Sequence, residues 1–389
     1  MRTKGGNPLI YLDNAATTWP KPPGVLQAME KCLTQLGANP GRAGHRMALQ
    51  AGRLIYETRE LLAGLFGVKN PLQIAFTLNA TEALNQALRG LLAPGDHIIT
   101  SSMEHNSVSR PLHFLQGQGI EVTKIPATPE GGIVVAEVEK SIKENTKALV
   151  MTHASNVSGT IFPVKEIGEI ARKNNVFFIV DAAQTAGTHE IDVEKMQIDL
   201  LAFPGHKGLF GPQGTGGLYV REGIILTPLK YGGTGSSSEF PEQPDVYPDR
   251  LESGTPNTVG IAGLGAGVKF ILETGLDKIR SHEEQLTDMM LEELKHVPGI
   301  KIYGPANSKQ QAPVISVNFD RQDSGQIGFV LDQAFEIACR AGLHCAPDAH
   351  RSLGTFPQGT VRFSFAYFNT EEDVRQTVAA LKQIAREMG

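Results

Sequence analysis

The 389-residue chain is 41% hydrophobic and 20% charged, with a formal net charge of −5. This composition is typical of a globular protein, and the length fits two domains or one large domain with a smaller companion. The acidic balance argues against a nucleic-acid partner. No stretch approaches the roughly 18 apolar residues that cross a membrane, and the apolar run Leu9–Leu12 is too short for a signal peptide. We therefore expect no membrane partner and a cytoplasmic location.

Short apolar runs alternate with amphipathic stretches through the first two thirds of the chain. The strands predicted from this pattern are Gln73–Thr77, His97–Thr100, Ala148–Thr152, Val176–Val180 and Asp199–Phe203, and helices are predicted at Val25–Leu36, Thr81–Leu92 and Val164–Lys173. Such alternation favours an α/β fold with a mostly parallel sheet that helices cover on both faces.

The last third of the chain has a different pattern. Its predicted elements are long helices over Val259–Lys295 with a break at Thr274–Gly275, a strand Val314–Phe319, a helix Ile327–Ala341, a strand Val361–Phe365 and a final helix from Glu371. We predict a large domain over residues 15–260 and a smaller α+β domain over 261–389, with residues 1–14 packing on the smaller one.

Polar residues follow each predicted strand of the first sheet, where a doubly wound sheet binds its ligands. Ala80 and Thr81 open a helix whose free N–H groups could hold a phosphate, although a simple helix cap is the more common explanation of such residues. Asp181 ends an apolar strand, where a buried carboxylate needs a positive partner. Lys207, beside glycines, could act as a neutral amine if burial lowers its pKa.

Several motifs in order carry a family resemblance over nearly the whole chain. They are Tyr11–Thr18, Thr81–Ala83, Asp181–Gln184, Gly205–Lys207 and Ser253–Asn257. Together they resemble the class V aminotransferases, specifically the cysteine desulfurases and selenocysteine lyases. The resemblance implies the type I fold of pyridoxal 5'-phosphate (PLP) enzymes and a homodimer.

The resemblance also implies a role for each matching residue. Lys207 would form the Schiff base with PLP, Asp181 would keep the pyridine nitrogen protonated, and the ring would act as an electron sink. The resemblance further implies that Gln184 contacts the phenolic oxygen of PLP, that His105 stacks on the ring and that Asn156 positions the ring. The residues implied at the phosphate are Ala80, Thr81 and His206, and Thr255 would reach the phosphate of the neighbouring subunit. Pro204 departs from the serine or threonine of many relatives, so one phosphate hydroxyl is missing.

Three cysteines, Cys32, Cys339 and Cys345, form no CxxC pair, disulfide framework or metal-site spacing. Cys32 and Cys339 fall in predicted helices and are interpreted as core residues. Cys345 follows Arg-Ala-Gly-Leu-His, which resembles the second type of cysteine desulfurase and makes Cys345 the catalytic thiol. Positive neighbours, with His344 and Arg340 as candidates, would favour its thiolate form.

The reaction implied is conversion of L-cysteine to L-alanine, in which the Cys345 thiolate takes the sulfur as a persulfide and passes it to an acceptor protein or a reductant. Arg362 would bind the substrate carboxylate, Arg340 would be a second cation, and His105 could shuttle a proton. Three alternatives are a selenocysteine lyase, another class V aminotransferase or lyase, and a PLP-binding scaffold with little activity.

Overall fold

The computed structural model describes residues 9–40, 44–320 and 322–388. The strands are β1 (Ile10–Tyr11), β2 (Ile74–Thr77), β3 (His97–Ser101), β4 (Glu121–Ile125), β5 (Thr146–Thr152), β6 (Phe177–Asp181), β7 (Leu200–Pro204), β8 (Gly216–Val220), β9 (Ile300–Tyr303), β10 (Val314–Phe319), β11 (Ile337–Ala338), β12 (Arg340–Gly342) and β13 (Thr360–Ser364). The helices are α1 (Pro23–Gln35), α2 (Arg46–Phe66), α3 (Ala80–Leu91), α4 (Asn106–Gln116), α5 (Val135–Lys140), α6 (Val164–Lys173), α7 (Thr258–Thr274), α8 (Leu276–Leu294), α9 (Ser324–Phe335), α10 (Pro347–Ser352) and α11 (Glu371–Met388).

A seven-stranded sheet has the order β2-β8-β7-β6-β5-β3-β4. Neighbouring strands of this sheet are parallel except where β8 pairs with β7 and β2, so β8 is antiparallel to the other six strands. Strands β3, β5, β6 and β7 are almost completely buried, as expected for strands covered on both faces. Because six strands share one direction, the loops after β2, β3, β5, β6 and β7 all emerge at one edge.

A second, four-stranded antiparallel sheet has the order β12-β13-β10-β9. Strand β1 pairs with β11 beside it, so the start of the described chain packs on the carboxyl-terminal part. A separate apolar cluster covers this sheet and includes Leu286, Val317 and Leu381. Helix α7 contributes Leu264 and Val268 to the cluster of the larger sheet instead. The domain division near residue 260 stays a prediction.

Most predicted elements agree with the structure, but the helix predicted over Ile327–Ala341 is wrong beyond Phe335. Glu336 has a left-handed backbone with φ of 56°, which ends α9. The residues that follow pair as β11 with β1 and as β12 with β13. These partners lie far away in sequence, so their pairing could not be detected in the local apolar pattern.

The predicted break between the long helices is confirmed, because α7 ends at Thr274 and α8 begins at Leu276. Gly265 lets α7 lie against α2, since a Cβ there would be 2.5 Å from Thr58 Oγ1. No single helix among the described residues is long and apolar enough to cross a membrane. Helices α7 and α8 together meet this criterion by length and composition only, across a bend of 84°.

Candidate active site

A cavity of about 210 Å³ lies at the edge where the parallel strands end. It is lined by predicted site residues from five strand ends and from the second sheet, namely Ala80, Thr81, His105, Asn156, Asp181, Gln184, His206, Lys207, Arg340 and Arg362. These residues span 282 positions of sequence from Ala80 to Arg362. The topology brings them together because the carboxyl ends of parallel strands share one edge of a sheet.

Lys207 and Asp181 are two oppositely charged groups that line this cavity. Burial lowers the pKa of the Lys207 amine to about 8, the Asp181 carboxylate opposes this change, and the guanidinium of Arg362 adds to it. Burial raises the pKa of the Asp181 carboxyl, while the Ala183 N–H that donates to Asp181 Oδ1 at 2.9 Å and the charge of Lys207 lower it. The site therefore holds an amine that loses its proton easily near a carboxylate that lacks full solvation.

The lowered pKa of Lys207 predicts when this amine becomes reactive. In the protein without cofactor, acetylation of Lys207 by acetic anhydride should rise with pH through a midpoint near 8, because only the neutral amine reacts. An ordinary lysine titrates near 10.4. Peptide mass spectrometry across a pH series measures this, with a lysine-containing model peptide as the reference. A midpoint above pH 10 for Lys207 would contradict the electrostatic picture of the site.

His105 caps α4 and lines the cavity. Its Nδ1 accepts a hydrogen bond from the Ser107 backbone N–H at 3.0 Å, which places the ring proton of the neutral imidazole on Nε2. Burial, followed by the positive charges of Lys207 and Arg340, lowers the His105 pKa to about 4. His105 is therefore neutral at neutral pH, and its Nε2–H is a hydrogen-bond donor.

Glu104, which the sequence did not single out, lies fully buried next to this histidine in the chain. Its Oε1 accepts from Ser101 Oγ at 2.6 Å and from the Thr152 N–H at 3.0 Å, while Oε2 has no partner among the described residues. Burial raises the Glu104 pKa to about 8, and the nearby Asp181 charge adds to the rise. At neutral pH this side chain is mainly a neutral acid, which avoids a second negative charge beside Asp181.

Glu104 should make stability depend on pH. In the folded protein its carboxyl stays protonated up to about pH 8, whereas in the unfolded chain it ionises near 4.3. The unfolded state therefore loses the proton first, and stability falls as pH rises through this interval. The side chain of the Glu104→Gln variant is neutral at every pH. Over this interval the variant should therefore lose less unfolding free energy than the wild type, by up to about 5 kcal/mol. Urea denaturation at pH 5 and pH 8.5 measures the difference, and Glu60→Gln on an exposed face of α2 is the control. Equal pH dependence in the wild type and Glu104→Gln would show that Glu104 is ionised in the fold.

The part of the cavity that is lined by Ala80, Thr81 and His206 has the features of a phosphate site. Asn79 caps α3 by accepting from the Glu82 N–H at 2.9 Å, so Thr81 is not the cap and the first-turn N–H groups of Ala80 and Thr81 are left without intrahelical partners. The Thr81 and Ser107 hydroxyls lie 2.7 Å apart. His206 Nδ1 is buried without a partner among the described residues. These donors fit a phosphate, and together with Lys207 and Asp181 they fit PLP.

Pro204, the last residue of β7, lines the cavity where many relatives were expected to supply a hydroxyl. The Ser107 hydroxyl, absent from the sequence prediction, lies in the same cavity and contacts both Thr81 Oγ1 and His105 Nδ1 at 2.7 and 2.9 Å. The phosphate end therefore retains two hydroxyls despite the proline.

Arg362 is only 1% exposed and already has protein partners. Its Nη2 donates to Asp13 Oδ1 at 2.8 Å and its Nη1 donates to the Asn156 carbonyl at 3.1 Å. Its Nε has no partner among the described residues. Arg362 lines the cavity, so its guanidinium can face a substrate carboxylate while Asp13 holds the group in place. Asp13 belongs to the quoted motif Tyr11–Thr18, but its side chain was not singled out.

Cys345 lies on the loop between β12 and α10 and is exposed. Arg340 Nη2 contacts its Sγ at 3.4 Å. Two hydrogen bonds from residues that follow β3 and β5 hold the loop. The Asn106 N–H donates to the Cys345 carbonyl at 2.7 Å, and Asn156 Nδ2 donates to the His344 carbonyl at 2.7 Å. His344 and Cys345 have φ values of 48° and 59°, a backbone strain that such anchoring sustains at functional sites.

The interpretation of His344 as a positive neighbour of this thiol is wrong. Its ring is 2% exposed, its Nε2 lies 3.0 Å from Thr360 Oγ1, and burial with the charge of Arg362 keeps its pKa well below the usual value. His344 is therefore neutral, and the cation in contact with the sulfur is the Arg340 guanidinium.

The remaining predicted residues have different locations. Cys32 is a core residue of α1, as predicted. Cys339 lies between β11 and β12 rather than in a helix, and burial raises its pKa to about 12. Thr255 does not line the Lys207 cavity; it lines a separate one with Thr77 and Glu82. Its predicted contact with a neighbouring subunit stays a prediction.

The comparisons with known proteins agree with this geometry. The model of the aminotransferase class-V family matches residues 10–377. The chain belongs to the class V aminotransferase family. Two relatives of this class V protein are named probable cysteine desulfurase. The one from Methanothermobacter thermautotrophicus is 36% identical over 384 residues, which cover 97% of this chain and 94% of the relative. The one from Pyrococcus abyssi is 36% identical over 389 residues, which cover 98% and 95%.

A solved structure shows the same architecture. The apo structure of a cysteine desulfurase from Thermococcus onnurineus NA1 matches with a TM-score of 0.92 and 35% identity, covering 97% of this chain and 95% of that one. This class V protein therefore has the predicted type I fold of PLP-dependent transferases.

Proposed function

We propose that this protein is a PLP-dependent cysteine desulfurase, which converts L-cysteine to L-alanine and collects the sulfur on Cys345. The observation that carries the proposal is an exposed thiol, held 3.4 Å from the guanidinium of Arg340, a residue that lines the same cavity as Lys207 and Asp181. A transaminase has no need of a thiol anchored in this position. The relatives' names support the same reaction.

Each residue of the site has a task in this reaction. PLP, when bound, supplies an electron sink for the substrate's α-carbon. Lys207, whose pKa is lowered to about 8, can take and return the α-proton. Arg362 binds the carboxylate and fixes which face of the substrate meets Lys207. The Cys345 thiolate attacks the substrate sulfur, and a new S–S bond forms while the bond between that sulfur and the substrate β-carbon breaks. The electron pair of the broken bond stays with the carbon, which takes up a proton and becomes the methyl group of alanine.

His105 borders both the Lys207 cavity and a second cavity that contains Cys345. Its neutral ring, with the proton on Nε2, can donate a proton to one side and be reprotonated from the other. This position supports the predicted role of His105 in proton transfer.

A homodimer is part of the proposal. Thr255 lies outside its own subunit's cofactor cavity, and its loop is fixed to β2 because Glu252 pairs with Arg59 at 2.6 Å and accepts from the Phe76 N–H at 2.6 Å. A rigid, outward-facing hydroxyl suits a contact with a second copy. Thr255→Ala should then weaken PLP affinity without changing the fold, and spectroscopic titration of PLP into the apoprotein measures it.

The direct test of the function is mass spectrometry after brief exposure to L-cysteine. One added sulfur atom is expected on the peptide that contains Cys345, together with release of alanine. The peptides of Cys32 and Cys339 should stay unmodified, because Cys32 is buried and the partly buried Cys339 has a pKa raised to about 12 by burial. Alanine release without any modified cysteine, or turnover of other amino acids alone, would refute the proposal.

A further inference from the structure

A second cavity of about 490 Å³ opens outward from Cys345 between α3 and α4. We call it the outer vestibule and define it by Asn85, Arg89, Arg110, Phe114 and Cys345. It shares Thr81, His105 and Ser107 with the Lys207 cavity. Cys345 lines the outer vestibule, and Arg340, whose Nη2 lies 3.4 Å from the Cys345 Sγ, lines the Lys207 cavity. The thiol therefore lies where the two cavities adjoin.

The outer vestibule is positively charged. Arg89 and Arg110 are exposed and make no ion pair with any described residue, and no carboxylate lines the cavity. Helix α4 contains no acidic residue at all. Arg89 lies over the Phe114 ring at 5.4 Å, which limits where its guanidinium can go. The Arg110 charge is close enough to contribute to the lowered pKa of His105.

We infer that the outer vestibule binds the molecule that removes sulfur from Cys345, and that this acceptor is a small thiol carrying carboxylate groups. This inference rests on the proposed function. The volume suits a small molecule rather than a protein surface, and arginine binds carboxylates through its planar fork. The phenyl ring of Phe114 provides apolar contact for the carbon chain between those groups.

The transfer step is an exchange between a thiolate and a persulfide. The acceptor thiolate attacks the outer sulfur of the Cys345 persulfide, the S–S bond to Cys345 breaks, and a new S–S bond forms on the acceptor. Cys345 leaves as a thiolate, which the Arg340 guanidinium faces. The sulfane sulfur changes carrier, so the step needs no external oxidant or reductant.

The test uses the holoenzyme, loaded with persulfide by L-cysteine and then freed of excess substrate. Loss of the persulfide is followed in single turnovers with mercaptosuccinate, which has two carboxylates, and with uncharged 2-mercaptoethanol. The quantity compared is the second-order rate constant for mercaptosuccinate divided by that for 2-mercaptoethanol. The two thiols differ in intrinsic reactivity by the same factor for every variant, so this factor cancels when the ratios of two variants are compared. Arg89→Gln and Arg110→Gln should each lower this ratio about threefold and the double variant about tenfold. Added salt should lower the wild-type ratio as well.

Arg53→Gln is the matched control, because it removes an exposed arginine that pairs with Glu57 on α2, outside the vestibule. Its ratio should equal that of the wild type. An equal ratio in the wild type and the double variant would overturn the inference. It would also be overturned if an acidic protein, but no small thiol, accelerated the loss of the Cys345 persulfide. Failure of the proposed function gives a different result, since no persulfide would form on Cys345 before the acceptor is added.

Discussion

Cys345→Ser should abolish sulfide and persulfide formation from L-cysteine, with a loss of more than about 10³-fold in rate. The hydroxyl cannot accept a sulfur atom, and the rest of the site is unchanged because the loop is held through backbone groups. These are the Cys345 carbonyl, which accepts from Asn106, and the His344 carbonyl, which accepts from Asn156. Cofactor binding, read from the yellow absorbance, should therefore stay normal. Alanine and sulfide are measured after addition of L-cysteine.

The matched control is Cys339→Ala, which removes a thiol that directly precedes β12 and lies outside both cavities. It should keep activity on L-cysteine. Activity on selenocysteine distinguishes the proposed function from the nearest alternative, a selenocysteine lyase. If Cys345→Ser stays active on selenocysteine alone, the thiol is needed specifically for sulfur. Undiminished release of sulfide from L-cysteine by Cys345→Ser would refute the role of this residue.

Lys207→Arg should abolish turnover and the absorbance of the cofactor's covalent bond to the protein, with a rate loss of at least about 10³-fold. Arginine keeps a positive charge near Asp181, so the buried carboxylate retains a partner, but it offers no neutral amine. The lost activity then reports chemistry rather than misfolding. Thermal unfolding should give a similar transition temperature for the variant and the wild type.

A second measurement identifies the lysine in the unmodified protein. Borohydride reduction of the holoenzyme, followed by peptide mass spectrometry, should place the pyridoxyl group on the peptide containing Lys207. Lys21 is an informative internal control, because burial lowers its pKa to about 8 as well and its Nζ donates to the His206 carbonyl at 2.7 Å, yet it does not line the cavity. Label on Lys21 instead of Lys207 would show that proximity to the cavity does not decide which amine reacts.

Local sequence predicted five of the seven strands of the central sheet and the polar residues that follow them, whereas β4 and β8 were not predicted. Strands such as Phe177–Asp181 are short, apolar and followed by turns, so their boundaries are detectable within a few residues, and the polar residue at each end stands out. Because parallel strands place their carboxyl ends at one edge, Asp181 and Lys207 could be predicted to meet before any coordinates were known. The motif around Cys345 likewise singled out this thiol as the candidate nucleophile.

The tertiary structure decided the features that depend on distant partners. Glu336–Gly342 follows an apolar helix, yet pairing with β1 and β13 converts it to strand. The protonation states of His344 and Glu104 follow from burial by elements remote in sequence, and periodicity cannot report how completely a side chain loses solvent. The ion pair between Asp13 and Arg362 joins residues 349 positions apart. Short-range patterns therefore determined which residues reach the site, whereas long-range packing determined their charges and their partners.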